Sequence, residues 1–568
     1  MIGVLFKDYQ LDVAREFFQL FKTPWEMYKK SEKYDVVIST RDSFPEVDAR
    51  LLIVFGSRIM HGESAYTINK RVSGKNVLLN HGGVEFPVYG ELLTFKNETP
   101  GFACINSKNG YAGYQLDTPQ GRIMRLGYDL FQEIEYLLVY GQPLENAHIP
   151  TLEIHIQMLR TWIVNSGIFL FEVPPVPAGK NFICCLTHDV DFAGIRFHGL
   201  DHTLLGFLYR ASLVSVLRFI KRKATAYYLW INFKAVASLP LVYLGLSKDF
   251  WLQFDHYLEI EKDVTSTFFI VPFKDRPGLN ITGHLAGTRA LRYDINDIVP
   301  WVKKLQNCGH EIAVHGIDAW TDAEQGREEL RRIAEVTGES DAGIRMHCLC
   351  YDSDSPKRLE HAGFLYDSTF GYNENIGYRG GTTQVFRPPG TNNLLEIPMH
   401  IQDVALFHSR RLGLTATQAF PLCMSIIKNA CLYGGVITII WHLRSIAPER
   451  QWIDFYEALL RELKKYNAWF CTAKQAVAWF NARRNISFQA DSKIKKLIRV
   501  SLKRAVNNHA AGFNVRIYQP VKLEQASSSS GIMFADVPWN GQQDMDIHEK
   551  SILSQDIEYT RVGFETAL

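Results

Sequence analysis

The sequence predicts an α/β protein whose C-terminal half is a distorted β/α barrel, preceded by a smaller α/β domain. Short apolar runs rich in β-branched and aromatic residues, "FICCLT", "TSTFFIVP", "EIAVHG" and "VITIIWH", recur after residue 181. Such runs are expected of parallel strands covered on both faces. Helical stretches such as "DINDIVPWVKKLQN" and "REELRRIAEVTG" separate several of them, and this alternation builds a parallel sheet or barrel. The chain has 568 residues, more than a single ordinary core holds, so more than one domain is expected.

Residues 1–175 alternate strand-like runs ("YDVVIST", "RLLIVFG", "NVLLN") with charged helical stretches ("LDVAREFFQLF", "YDLFQEIEYLLVYG"), the pattern of the smaller α/β domain. "VPPVPAGK", from Val173 to Lys180, has the proline and glycine density of a linker. The barrel is expected over 181–485. It carries an insertion at about 196–248 that is apolar and basic in patches, as in "SVLRFIKRK". The insertion reads first as helices packed over the barrel mouth, and second as a contact for a membrane surface or a glycolipid. Two helical segments joined by the strand-like "AWFCT" end the barrel. Residues 486–568 read as a partly flexible appendage, opening on the basic amphipathic "KIKKLIRVSLKR" and passing through "QASSSSG".

Composition narrows the classes of function. With 46% hydrophobic and 21% charged residues the chain has a globular make-up. A net charge of +2 offers no electrostatic footprint for a nucleic acid. The nine cysteines include no CxxC pair, which favours reduced thiols and a cytoplasmic location. Lys7, Asp8 and Asp12 interrupt the N-terminus before a signal peptide can form. Lys234 and Pro240 interrupt the most lipophilic stretch, Thr225 to Leu246, so no transmembrane segment is expected in the chain, although peripheral membrane contact is compatible with it.

Chemistry in parallel barrels sits where strands end, and here the apolar runs end in polar groups repeatedly. "FICCLT" leads to His188, Asp189 and Asp191. "GHEIAVHGIDAW" carries His310, His315 and Asp318, "GIRMH" carries Arg345 and His347, and "VITIIWH" ends in His442. Carboxylates and imidazoles converging on one rim are the ligand types of a divalent metal such as zinc.

The order of "THDVD", "TSTFFIVP", "GHEIAVH", "ITIIWH" and "AWFCTAKQAVAWFNARR" resembles the polysaccharide deacetylases of carbohydrate esterase family 4, the nodulation-type deacetylase domain. The resemblance covers roughly residues 181–485 and implies metal-dependent hydrolysis of a non-peptide C–N bond, with de-N-acetylation of a sugar or polysaccharide precursor as the reaction. It assigns Asp189 as the base, Asp191 and His315 as metal ligands, Arg345 as the group that holds the base, and His442 as the acid. The chain departs from the family pattern in three places. Val190 separates the two acids, the arginine motif reads "RMHCL" without its proline while "VFRPPG" offers Arg387 later, and Ala319 stands where a second histidine ligand is usual. Asp318, His347 and His188 are the candidates to replace that ligand. The loop "YDSTFGYNENIGYRGGTTQVFRPPG" offers Tyr372 and Tyr378 for sugar stacking, or covers the barrel. The missing histidine also motivates a second reading, a non-catalytic glycan-binding module or scaffold in surface-polysaccharide assembly.

Overall fold

The computed structural model describes residues 1–61, 69–73, 76–96, 103–108, 110–222, 224–490, 497–502, 512–520, 532–541, 544–548 and 560–562. Near the N-terminus, Trp25–Met27, Ile2–Leu5, Val36–Ser39, Leu51–Phe55 and Gly121–Leu126 lie side by side and parallel. Antiparallel strands between residues 69 and 118 extend that sheet. Helices Leu11–Leu20, Leu130–Val139 and Thr151–Asn165 supply Phe17, Phe131 and Leu159 to its core.

Eight strands build the barrel: β1 (Ile183–Val190), β2 (Ser266–Ile270), β3 (Glu311–Gly316), β4 (Ile344–Met346), β5 (Tyr366–Asp367), β6 (Leu395–Glu396), β7 (Ile401–Gln402) and β8 (Val436–Ile440). Their spatial order is β6-β5-β4-β3-β2-β1-β8-β7, and every pairing is parallel. The two outermost strands, β6 and β7, are joined only by Ile397–His400. A link that short spans at most about 17 Å, so the sheet must curl until its edges nearly meet. The strand-like "AWFCT" contributes Trp469–Phe470, which pairs parallel with the start of β1.

Strand parity decides what faces where. In β1, Cys184, Leu186 and Val190 join the outer core beneath the helices, whereas Ile183 and Cys185 fill the barrel interior with Phe269, Ala313 and Val436. Thr187 and Asp189 therefore point inward near the C-terminal rim, and His188 points out. The crossover helices obey ordinary capping rules. Helix α1 (Ala323–Thr337) starts at Asp322, whose side chain accepts from the Glu324 and Gln325 amides, and it stops at Gly338 with φ +80°, a conformation glycine adopts without penalty.

"VPPVPAGK" is packed. The buried Arg483 donates to the carbonyl oxygens of Val173 (2.7 Å), Gln19 (2.9 Å) and Leu20 (3.1 Å), which clamps this stretch and the first helix onto the last barrel helix. Arg387 also works between the halves: its amide donates to Glu16 at 2.8 Å and its guanidinium pairs with Asp12. It lies outside the site, and Arg345 is the arginine at the rim.

The insertion is a helical hairpin. Its first arm runs from His202 to Ile220 through a π-helical segment at Arg210–Val214, and its second arm is Ala226–Tyr243. Leu204, Phe207, Ala211, Ala235 and Val242 pack with Ile195, Trp251 and Ala447. The first arm is long and apolar enough to cross a membrane by length and composition alone. The C-terminal stretch folds back where it is described. Phe513–Tyr518 pairs antiparallel with Leu170–Glu172 and with Ile532–Trp539, and "KIKKLIRVSLKR" contributes the strand Leu497–Leu502 beside Ile486–Ala490. "QASSSSG" lies outside the described residues.

Candidate active site

β1 delivers Asp189 and, one step past its end, Asp191 to the rim. Beside them, β3 delivers His315 and β4 delivers Arg345. Arg345 is fully buried and donates to Asp189 Oδ1 (2.7 Å) and Thr187 Oγ1 (2.8 Å), while Ser368 accepts through its carbonyl and its hydroxyl at 2.9 Å each. Phe269 lies under the guanidinium at 4.1 Å. Burial pushes the Asp189 pKa up, but Arg345, with His315 and His442, outweighs burial and holds the group below its usual range. Asp189 is thus a carboxylate fixed in one orientation, as a base must be.

Asp191 Oδ1 sits 3.1 Å from His315 Nε2 and 3.7 Å from His347 Nε2, and the ligand atoms of these three residues all lie within 4.8 Å of one another. The Nδ1 of His315 lies 3.1 Å from the Arg345 carbonyl oxygen. The ring is thereby turned with Nε2 toward Asp191, the nitrogen that would face a bound ion. Burial pushes His347 down to about 4, which keeps its ring neutral. Burial also pushes Asp191 up, but the His315 hydrogen bond and the nearby imidazoles hold its carboxyl well below the usual range. Two imidazoles and one carboxylate make a donor set that suits a divalent ion such as zinc.

His347 reaches this position through a backbone kink. Cys348 and Leu349, which follow it, have φ of +63° and +51°, a region that costs residues with a Cβ of order 1–3 kcal/mol each and that clusters at functional sites. Arg289 holds the kink, donating to the His347 carbonyl at 3.1 Å and to the Ile317 carbonyl at 3.0 Å. The other two candidates for the third ligand lie elsewhere. Asp318 accepts from the Leu279 amide at 2.8 Å in a neighbouring loop. His188, facing outward, pairs with the buried Glu261 at 3.0 Å and approaches the Trp441 carbonyl at 2.8 Å. His310 sits at the opposite end of β3, with Nδ1 3.1 Å from the Ser266 amide.

His442 follows β8 and faces Asp191 across the mouth, Nε2 to Oδ2 at 3.7 Å. Its Nδ1 lies 2.7 Å from Asp403 Oδ1, and its amide donates to Asp403 Oδ2 at 2.7 Å. Burial would lower the His442 pKa, but Asp403 and the two site aspartates push it up to about 9. The residue is therefore an imidazolium, able to give a proton from Nε2. Asp403 was not read from the sequence. Its signal was faint: an aspartate directly after the two-residue strand β7.

The mouth narrows to a cavity of about 30 Å³ whose lining includes Asp189, Asp191, His442 and Arg444. That is far below the roughly 300–1,000 Å³ of a pocket enclosing a whole small ligand. Tyr372 and Tyr378, proposed for stacking, are buried against the N-terminal half. The Tyr372 hydroxyl donates to the Gln142 carbonyl at 2.7 Å, and the Tyr378 carbonyl accepts from Gln142 Nε2 at 2.6 Å. Neither offers a face to a sugar.

Within the barrel, Asp367 and Glu396 form a second, wholly buried carboxyl pair. Burial raises both, Asp367 to about 6, and Glu396 is raised further by the charge of Asp367. An acid whose pKa is raised on folding binds its proton more tightly folded than unfolded. Its stabilising contribution is therefore full below the unfolded value near 4 and is lost as pH rises through the folded value. The pair's own contribution is expected to fall from about pH 4 through pH 6 and beyond, so the difference in stability between wild type and Glu396→Gln should change across that range. Thermal unfolding midpoints measured from pH 4 to 8 on both proteins check this, and parallel curves would contradict it.

Together, fold and rim define an open parallel α/β barrel with an imidazole and carboxylate cluster at the C-terminal ends of its strands. No family model matches the chain, and no curated protein matches it. Solved structures similar to it include a protein described as a polysaccharide deacetylase from Mycobacterium smegmatis, 20% identical over 56% of this chain and 98% of that one, with a TM-score of 0.35. The Puue allantoinase is 15% identical over 54% of this chain and 92% of that one, with a TM-score of 0.34. A protein described as a polysaccharide deacetylase from Pseudomonas aeruginosa PAO1 is 15% identical over 52% and 90%, with a TM-score of 0.32.

Proposed function

We propose that the protein is a metal-dependent hydrolase of a non-peptide C–N bond that removes an N-acetyl group from a sugar or polysaccharide precursor. The observation that carries this reading is the meeting, at one small mouth, of Asp189 held by Arg345, His442 held by Asp403, and the donor trio Asp191, His315 and His347. A divalent ion held by that trio, zinc being well suited to it, would supply Lewis acidity to the acyl oxygen and to the attacking water.

The chain's own groups account for the proton movements. Asp189 takes a proton from the water whose oxygen bonds to the acyl carbon, and Arg345 keeps that carboxylate charged and aimed. As the C–N bond breaks, His442 gives its Nε2 proton to the departing amine, and Asp403 stabilises the imidazolium beforehand and fixes its ring. Acid and base steps of this kind contribute roughly 10²–10⁴-fold each. The narrow cavity supports a short acyl group, with the sugar lying across the rim.

A binding module was motivated by Ala319, but His347 brings a third donor to the cluster and removes that motive. Release of acetate from a water-soluble N-acetylated oligosaccharide, with and without a chelator, tests the proposal. Chelator-sensitive hydrolysis is expected, and Asp403→Asn should lower it by about 10²–10⁴-fold. A purified protein with neither a stoichiometric divalent ion nor such hydrolysis would be a binding module instead.

A further inference from the structure

The hairpin leaves an outer face that none of the described residues covers. Along its first arm Leu205, Tyr209, Leu213, Leu217 and Ile220 recur every three or four residues and are all exposed, Leu213 by 60% and Leu217 by 51%. This is the spacing of one helical stripe. The opposite stripe, Leu204, Phe207 and Ala211, is the one packed inward. The second arm repeats the arrangement, with Tyr227, Trp230, Leu241 and Leu244 outside and Ala235 and Val242 inside. Isolated apolar residues on a surface are ordinary, but two adjoining stripes form a patch, and large exposed patches mark interaction sites.

Charge selects the occupant. Between Asp201 and Asp249 the sequence holds seven lysines and arginines and no acidic residue, in a chain whose overall charge is almost balanced. Arg218, Lys221 and Arg222 flank the tip of the hairpin, and Lys234 lies 5.1 Å over the exposed ring of Trp230. Leucines with tyrosine and tryptophan at their margins, on a segment whose charged residues are all cations, match an anionic bilayer surface, with the apolar stripe in the acyl boundary and the cations among the headgroups. A protein partner would be expected to meet charge of both signs. The first arm cannot leave the protein to span a membrane without stripping Phe207 and Ala211 from their core.

We propose that this hairpin docks the protein peripherally on anionic lipid bilayers. It is bolted to the rim of the active site. Asn232 Nδ2 and the Tyr228 hydroxyl donate to the carbonyls of Pro448 and Glu449 at 3.1 and 3.0 Å, in the loop that leaves His442. Glu449 in turn pairs with Arg444 at 2.8 Å, and Arg444 lines the mouth. A docked hairpin thus places the mouth beside the bilayer. On the deacetylase reading, this makes an N-acetylated sugar carried on a lipid the class of substrate presented to it.

Flotation of the full chain with vesicles of phosphatidylcholine alone, or mixed with phosphatidylglycerol, tests the docking without reference to catalysis. The expected result is co-flotation with the anionic vesicles, weakened by salt, and a loss of about tenfold or more in the Leu213→Glu/Leu217→Glu double variant. Both positions are exposed, so that variant should keep the wild-type unfolding midpoint and the wild-type activity on a water-soluble N-acetylated oligosaccharide. Lys221→Glu/Arg222→Glu should weaken flotation separately. The proposal is overturned if the wild type stays with the soluble fraction, if it floats equally on neutral vesicles, or if the double variant floats undiminished. It is overturned equally if light scattering without lipid shows a dimer that the double variant disperses, because the face would then belong to a second copy. Loss of the deacetylase reading alone, seen as absent hydrolysis with intact flotation, would leave the docking standing and remove only the substrate.

Discussion

On the proposed hydrolase reading, Asp189→Asn is expected to lower hydrolysis by about 10²–10⁴-fold while a divalent ion stays bound. An amide has nearly the size of the carboxylate, and its oxygen can still accept the 2.7 Å bond from Arg345, but it cannot take a proton from water. The variant also leaves the fully buried Arg345 without its counter-charge. Breaking a buried pair outright costs about 3–5 kcal/mol, and the retained hydrogen bond should keep the loss below that. Steady-state acetate release, metal content by mass spectrometry and the unfolding midpoint separate these effects. Unchanged turnover would refute the assignment of Asp189 as base, and loss of metal together with activity would move Asp189 into the ligand set.

On the same reading, His347→Ala is expected to lose a divalent ion that Asp318→Asn retains. His347 Nε2 is 3.7 Å from the carboxylate oxygen that also faces His315, whereas the nearest polar contact of Asp318 is the Leu279 amide. Altering groups that merely support a ligand costs 10–100-fold in affinity, so deleting a ligand should cost more than that. Equilibrium titration of the chelated proteins with zinc gives the comparison directly. If Asp318→Asn were the variant that weakened binding, the third donor would be a loop carboxylate and the kink at Cys348 and Leu349 would have no role in the site.

Asp189, Asp191, His315, Arg345 and His442 were legible because each lies just beyond an apolar run or at its last residues, and parallel strands all end at one rim. Parity alone excludes His188, since it lies between inward-facing Thr187 and Asp189. Choosing His347 over Asp318 required the backbone reversal after β4, which no pattern of residue types reveals. Asp403 was hidden for a different reason: a strand of two residues has no periodicity to detect. The same limit applied to β5 and β6. Between sugar stacking and a covering role the sequence does not choose for Tyr372 and Tyr378, because what buries them, Gln142 and its neighbours, lies more than two hundred residues earlier in the chain. The antiparallel strands between residues 84 and 126 escaped reading because glycines and charged residues interrupt their alternation.

The three donors stand at positions 191, 315 and 347 and come together only when β1, β2, β3 and β4 assemble into one sheet. An unfolded chain would scatter them, so any ion that prefers the assembled trio is thermodynamically linked to folding. At one hundred times its dissociation constant such an ion adds about 2.7 kcal/mol to the folded state. Metal supply would then set the protein's persistence as well as its rate, and a cell starved of the ion would lose the molecule along with its activity.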